Sequence, residues 1–251
     1  MRGNIMESIF KKEFTVQHIH LDRYYRMKPS AMLHFIMRTV SAHCTDLGVS
    51  WDDIRPLDLI WVVGRSHLQV TRMPRLDGRL IVETWPMPAT RSAYPRAAVV
   101  KTPEGEELYR CTTLWALMNK TTRKLVLPSD SGISVPGHIF GNELPVPSSF
   151  AAAPLDEITQ RKVCFSELDA NGHMNNTRYL DWVNDLLPSS FHETHPFRDV
   201  TVCYLSEARE GQTVIISRHF CEDGSLQVDG FRTDTDASDK KSRVFSVRVN
   251  F

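Results

Sequence analysis

Long apolar runs, an excess of charge of either sign and paired cysteines are all missing from this sequence, and each absence excludes something. No apolar stretch approaches the roughly 18 residues that a membrane-spanning helix needs. Thirty Lys and Arg balance thirty Asp and Glu, so no global charge points to nucleic acid or a membrane surface as partner. The five cysteines (Cys44, Cys111, Cys164, Cys203, Cys221) are odd in number and scattered, without a C-x-x-C pair. That argues against a disulfide framework and a zinc site, and suggests small, mostly buried hydrophobes in a reducing, cytoplasmic setting. The first residues, MRGNIMESIFKKEF, lack a signal-peptide apolar core and make a poor transit peptide. The ten histidines form no H-x-x-x-H or H-x-H cluster with acid partners, and His18 and His20, two apart, lack a third ligand, so a metallo-hydrolase is not expected.

What is present is ordinary globular composition, 41% hydrophobic over 251 residues, arranged in a pattern that occurs twice. Residues 14–22 (FTVQHIHLD) alternate as a strand does. Lys28-Pro29-Ser30 reads as a helix start, and Leu33, Ile36, Val40, Cys44 and Leu47 line one helical face before Gly48 stops it. Strand-like runs follow: LIWVVGRSHLQVTR, GRLIVETWPM, PRAAVV and ELYRCTTLWALMN. Residues 125–160 hold five of the fourteen prolines and few periodic apolar positions, which marks a linker running over a surface. The pattern then restarts with KVCFSELD as a strand, a helix from Asn175 to Leu187 ended by Pro188, and the strands DVTVCYLSEA, QTVIISRHF, SLQVDGF and RVFSVRVNF. One helix followed by several strands, twice over, predicts an α+β chain in which antiparallel sheet wraps each helix.

The two copies can be superposed in sequence. A shift of 147 residues places Asp22 on Asp169, Met27 on Met174, Leu33 on Leu180 and Phe35 on Trp182. Further along, Gly78 matches Gly211 at a shift of 133. The copies differ at DANGHMNN (169–176): where copy two has Asp169, Asn171 and His173, copy one has Asp22, Tyr24 and Arg26. The fold therefore does not require Asn and His there, which points to a chemical role. The competing reading is a turn, since Asp and Asn bond nearby backbone N–H groups and cap helices.

The segment FSELDANGHMNNTRYLDWVND resembles the signature of acyl-acyl-carrier-protein thioesterases of the FatA/FatB type and their bacterial relatives, which carry D-x-N-x-H-x-N-N before the helix of their second domain. TWPMPATRSAYPRAAVV and LWALMNKTTRKL are similar to the family's first domain, and the resemblance covers nearly the whole chain. It implies a tandem double hotdog, each copy a long helix wrapped by an antiparallel sheet, with the two sheets joined edge to edge. The expected division is residues 1–127 as a catalytically empty, acyl-holding domain, 128–160 as linker and 161–251 as the catalytic domain.

The implied reaction is metal- and cofactor-free hydrolysis of the thioester that links a fatty acyl chain to the carrier protein, ending fatty acid elongation. Asp169, Asn171 and His173 match the family's catalytic trio, and Glu207 matches its acid on a following strand. The family's neighbouring Cys is Ala208 here, which excludes a cysteine nucleophile at that position. Copy one has Pro74 opposite Glu207 at the shift of 133. Glu207 or Asp169 is the expected base or nucleophile, with Glu207 as base preferred. His173 suits proton transfer or carbonyl polarisation, Asn171 suits holding water, and backbone N–H groups at the start of the Asn175 helix suit the oxyanion.

An apolar tunnel is expected from Met32, Leu33, Phe35, Ile36 and Met37, with strands near Trp61 and Trp85. The family's carrier protein is acidic, which directs attention to Lys120, Arg123 and Lys124, or to Arg161 and Lys162, as docking cations. A homodimer is compatible with the sequence. The alternatives are a hotdog thioesterase acting on acyl-coenzyme A, or a dehydratase, and a non-catalytic acyl-binding sensor.

Overall fold

The computed structural model describes residues 9–154, 156, 158–233 and 241–251, so the first eight residues of the N-terminal stretch lie outside the described residues. The chain divides after Pro147 into two compact units, a boundary that falls inside the proline-rich segment.

In the first unit β1 (Phe10–Thr15) is followed by α1 (Pro29–Asp46), the single turn α2 (Trp51–Ile54), β2 (Leu59–Val70), β3 (Arg79–Pro86), β4 (Tyr94–Lys101), β5 (Glu107–Asn119) and the short β6 (Leu125–Val126). The strands pair antiparallel in the order β1-β3-β4-β5-β2, with β6 added to β5. The second unit contains β7 (Ile158–Lys162), α3 (Arg178–Asp185), α4 (Ser189–Thr194), β8 (Asp199–Tyr204), β9 (Thr213–Phe220), β10 (Leu226–Thr233) and β11 (Lys241–Asn250). Its strands pair antiparallel in the order β7-β9-β10-β11-β8. In both units the strand order is first, third, fourth, fifth, second. Among the described residues no helix is long and apolar enough to cross a membrane.

Helix α1 forms where the sequence predicts. Pro29 occupies its first turn, where no backbone N–H is needed, and Gly48 ends it with φ +67°, a conformation that costs a side chain but not glycine. Leu33, Phe35, Ile36 and Val40 are buried against the sheet, and the Phe35 ring stacks on Phe14 of β1 at 4.5 Å. Burying one such side chain contributes about 2–3 kcal/mol.

Alternation along β3 sends Leu80, Val82 and Thr84 toward α1, because Leu80 is the cross-strand partner of Phe14. Trp85 therefore points to the opposite face. It packs there with Ala97, Val99, Met87 and Phe140, and its indole donates to Glu143 at 3.0 Å. The face that β3 turns toward α1 is thus Leu80, Val82 and Thr84 rather than Trp85 itself. Trp61 packs beside Ile54, Tyr94 and Leu117, and its Nε1 donates to Val49 O at 2.8 Å.

The expected strands at 14–22 and 162–169 lie earlier in the chain in both copies. Each ends near Thr15 or Lys162, and 3-10 turns occupy His18–His20 and Phe165–Glu167. The proline-rich segment is bonded down rather than loose. Thr112 Oγ1 donates to Leu144 O, and Arg110 Nη1 donates to Asn142 O. In the second unit, buried Asp229 accepts from Ala153 N at 3.0 Å while Gln227 Nε2 donates to Ala151 O at 2.8 Å. Cys111 and Cys203 are buried as expected, whereas Cys164 is exposed.

One polar pair sits inside the first unit. His43 and Arg96 are both buried, with Arg96 Nη2 2.7 Å from His43 Nδ1. Burial, with the Arg96 guanidinium adding to it, holds the His43 imidazole down at about 4.

Candidate active site

The loop carrying DANGHMNN is built twice with the same main-chain bonds. In copy one Asp22 N donates to Arg26 O at 2.8 Å, Tyr24 N donates to the Asp22 carboxylate at 2.8 Å, and Lys28 N donates to His20 O at 2.9 Å. Shifted by 147 residues, Asp169 N donates to His173 O at 2.8 Å, Asn171 N to the Asp169 carboxylate at 2.8 Å, and Asn175 N to Glu167 O at 2.8 Å. Bridges between Leu21 and Met27 and between Leu168 and Met174 close the two loops in the same way. The left-handed position is Tyr25 (φ +58°) in one and Gly172 (φ +76°) in the other. Both carboxylates thus accept backbone N–H bonds, as an Asx turn requires. Asn171 and His173 have no such duty, since their counterparts are Tyr24 and Arg26.

The second half of the loop corrects the matched register. Asp77 N bonds Val16 O and Gly211 N bonds Val163 O, each at 2.9 Å, and Asp77 and Gly211 are both left-handed. Gly211 is thus the counterpart of Asp77, not of Gly78, and the shift is 134 rather than 133. In copy one an Asp takes the left-handed turn usually given to Gly, so the glycines of the two copies occupy different positions of the turn. The position matching Glu207 is accordingly Met73, not Pro74. Neither is an acid.

The loop brings two of the expected residues together. His173 Nε2 lies 3.0 Å from Glu207 Oε2, both side chains being partly exposed. His173 is bridged to Arg209, and Met174 N donates to Ala208 O at 2.8 Å, so the segment after β8 is laced to the loop immediately after Glu207. Ala208 is fully buried. Asp169 and Asn171 stand in the same turn, Asp169 bonded to the Asn171 backbone and Asn171 exposed.

Three further residues converge on this site. Arg232 of β10 donates to the Glu207 carbonyl through Nη1, and Arg209 Nη2 lies 3.7 Å from the Glu207 carboxylate. Tyr179, in the first turn of α3, is buried against Phe245 at 4.7 Å and Tyr204 at 6.0 Å. Burial pushes its phenol above the ordinary range, Arg232 opposes the rise, and the Glu207 and Asp169 carboxylates add to it. Tyr179 read as part of the helix's apolar stripe, and nothing near Arg232 in sequence marks it.

The helix begins at Arg178, three residues after the expected Asn175, because the Asn175 side chain accepts from Thr177 N and Oγ1. The Asn175 N–H is spent on Glu167 O, so it does not serve as the oxyanion donor expected of the helix start. Of the expected docking cations, Arg161 is engaged by Asp185 at 2.7 Å and lies over the Trp182 ring. Among the described residues no three His, Cys, Asp or Glu side chains converge as a metal-binding group.

The chain is similar to known proteins along most of its length. It is 28% identical over 226 residues to a chloroplastic palmitoyl-acyl carrier protein thioesterase of Gossypium hirsutum, 82% of this chain and 54% of that one. It is 26% identical over 217 residues to a dodecanoyl-[acyl-carrier-protein] hydrolase of Cinnamomum camphora, 79% of this chain and 56% of that one. It spans about half the length of these curated relatives. The solved acyl-ACP thioesterase from Bacteroides thetaiotaomicron superposes with a TM-score of 0.86 at 21% identity, covering 98% of each chain, and so shares the fold. Models of the acyl-ACP thioesterase N-terminal and C-terminal domains match residues 7–130 and 152–246, and the chain belongs to the acyl-ACP thioesterase family.

Proposed function

We propose that this chain is a double hotdog that hydrolyses fatty acyl thioesters of acyl carrier protein, releasing the free acid in the cytoplasm. The observation that carries the reading is the 3.0 Å approach of His173 to Glu207 on a frame whose other copy has Arg26 and Met73 instead. The second unit supplies the chemistry, and the first holds the acyl chain among Met32, Leu33 and their neighbours on α1.

Glu207 acts as the base. Its carboxylate takes a proton from water as the water oxygen bonds to the thioester carbonyl carbon. The Asn171 amide and the His173 imidazole orient the water and the carboxylate, and a donor of this set receives the developing oxyanion. Collapse of the tetrahedral adduct breaks the C–S bond, and the departing thiolate takes the proton from Glu207. Asp169 holds the turn that presents Asn171 and His173. Ala208 rules out a thiol nucleophile beside the acid, so no acyl-cysteine forms there.

The test is thiol release from a panel of acyl-carrier-protein and acyl-coenzyme A substrates. Hydrolysis of the carrier-protein esters in preference to the coenzyme A esters is expected. No hydrolysis of either class would sink the reading and leave the acyl-binding sensor in its place. Preference for the coenzyme A esters would transfer it to the acyl-coenzyme A class.

A further inference from the structure

The duplicated loop carries opposite charge in its two copies. Residues 18–38 contain Arg23, Arg26, Lys28 and Arg38 against one carboxylate, Asp22, with His18, His20 and His34 beside them. The matching residues 165–185 contain Glu167, Asp169, Asp181 and Asp185 against one cation, Arg178. Position by position, His20, His34 and Arg38 of copy one become Glu167, Asp181 and Asp185 of copy two. Since the main-chain bonds are shared, neither set of charges is a requirement of the fold.

The two sets are also handled differently. In copy two the acids have partners on their own unit: Asp185 pairs with Arg161 at 2.7 Å, Asp181 with Arg178 at 3.1 Å, and Glu167 accepts from Trp182 Nε1 at 2.5 Å. In copy one Asp22 turns its carboxylate inward to the N–H groups of Tyr24 and Arg26, at 2.8 and 2.9 Å. The guanidinium groups of Arg23 and Arg26 lie over the same Tyr24 ring, at 5.4 and 5.5 Å. Among the described residues no carboxylate pairs with Arg23, Lys28 or Arg38. The positive field is felt locally: burial lowers the His20 imidazole, and His34, Lys28 and Arg38 lower it further. Exposed Ile19 (73%) and Tyr25 (66%) belong to the same loop, Tyr25 standing edge-on to the His18 ring at 6.3 Å.

We infer that the surface built from Arg23, Arg26, Lys28 and Arg38 around Tyr25 and Ile19 is the docking surface for the acidic carrier protein that presents the thioester. This rests on the function proposed above. The size of the patch favours a protein over a small anion. From Pro29 to Arg38 the helix rises about 14 Å, and the loop cations lie before its start, so no single phosphate spans them. Apolar side chains within a cationic rim match a protein face better than a free phosphate.

The experiment compares the wild-type chain with Arg23→Glu/Lys28→Glu/Arg38→Glu. Each is assayed with an acyl carrier protein thioester and with the same acyl group on N-acetylcysteamine, over a range of salt. The expected result is that preference for the protein-borne substrate falls at least about tenfold, through KM, and that kcat/KM loses its salt dependence. Arg38 also lies over the Phe14 ring at 5.2 Å. Arg23→Gln/Lys28→Gln therefore repeats the test without disturbing that contact, with a smaller fall of the same kind. Unchanged preference and salt dependence in both variants overturns the inference. So does salt-sensitive self-association of the wild-type chain that the triple variant abolishes while carrier-protein KM stays constant, since the patch then binds a second copy. If the wild-type chain hydrolyses neither substrate, the proposed function fails. Anisotropy of labelled holo-carrier protein then judges the patch alone, and equal binding by wild type and variant overturns it.

Discussion

His173 Nε2 and Glu207 Oε2 are 3.0 Å apart, and the segment holding Glu207 is pinned from behind by the Arg232 guanidinium on its carbonyl. In the proposed reaction the pair works as a unit. Glu207→Gln and His173→Asn are each expected to lower kcat by about 10²–10⁴-fold. The double variant should lose little more than the worse single one. Steady-state kinetics on a carrier-protein thioester checks both statements, and multiplicative losses would show that the two groups act separately.

Asp22 and Asp169 make the same turn but are not expected to matter equally. Asp22→Ala removes the acceptor of two backbone N–H groups and should cost about 1–2 kcal/mol, read as a lower melting temperature with kcat retained. Asp169→Asn keeps an oxygen that can close the turn, so its stability should stay within about 0.5 kcal/mol of the native chain. A fall in kcat of tenfold or so in that variant then reports chemistry rather than folding. An unchanged kcat would make Asp169 purely structural.

Thiol reagents should separate the cysteines without stopping the reaction. Cys164 is exposed, while burial pushes the Cys111 thiol up to about 12 and Cys203 is equally enclosed. Iodoacetamide on the native protein should modify Cys164 and spare Cys111 and Cys203, as seen by peptide mass spectrometry. Hydrolysis should persist after alkylation, because Ala208 occupies the position beside the acid.

Stability should fall on acidification through one buried histidine. The folded-state value of His43 is about 4 and its ordinary value is 6.5, so between these limits the unfolded chain binds a proton that the folded chain refuses. This contribution is fully present above pH 6.5 and is lost as the pH falls toward 4, a loss on the order of 2–3 kcal/mol. His43→Gln should flatten that part of the stability profile, measured by urea unfolding at a series of pH values.

Gly230 has no room for a side chain. A Cβ there would meet the Phe245 ring at 2.1 Å, and Phe245 is the residue against which Tyr179 packs. Gly230→Ala is expected to cost about 1–3 kcal/mol and to lower kcat as Tyr179 shifts. Gly172→Ala, where nothing lies within 4 Å and Tyr25 fills the matching place, should cost about 1 kcal/mol.

The strands were legible because alternation and β-branched runs report burial directly: ELYRCTTLWALMN is β5 residue for residue. What misled were positions where polar side chains take over the backbone. Asn175 delays its helix by a local bond, and the 3-10 turns at His18 and Phe165 imitate strand alternation. In the site, His173 and Asn171 stood out by differing from Arg26 and Tyr24. Glu207 could be matched only by resemblance, and its true counterpart, Met73, was hidden by one residue of register. Tyr179 and Arg232 left no mark, since an apolar stripe and a lone strand arginine look the same whether or not they face a carboxylate.

A loop closed by its own main chain also has an evolutionary consequence. Substitutions at Tyr24, Arg26, Asn171 or His173 leave every bond that shapes the turn intact, so drift at these positions alters what the surface does at little cost to folding. On the function proposed above, one loop carries the side chains for bond breaking while the other carries charge. The two loops thus differ in side chains alone, on one shared pattern of main-chain bonds.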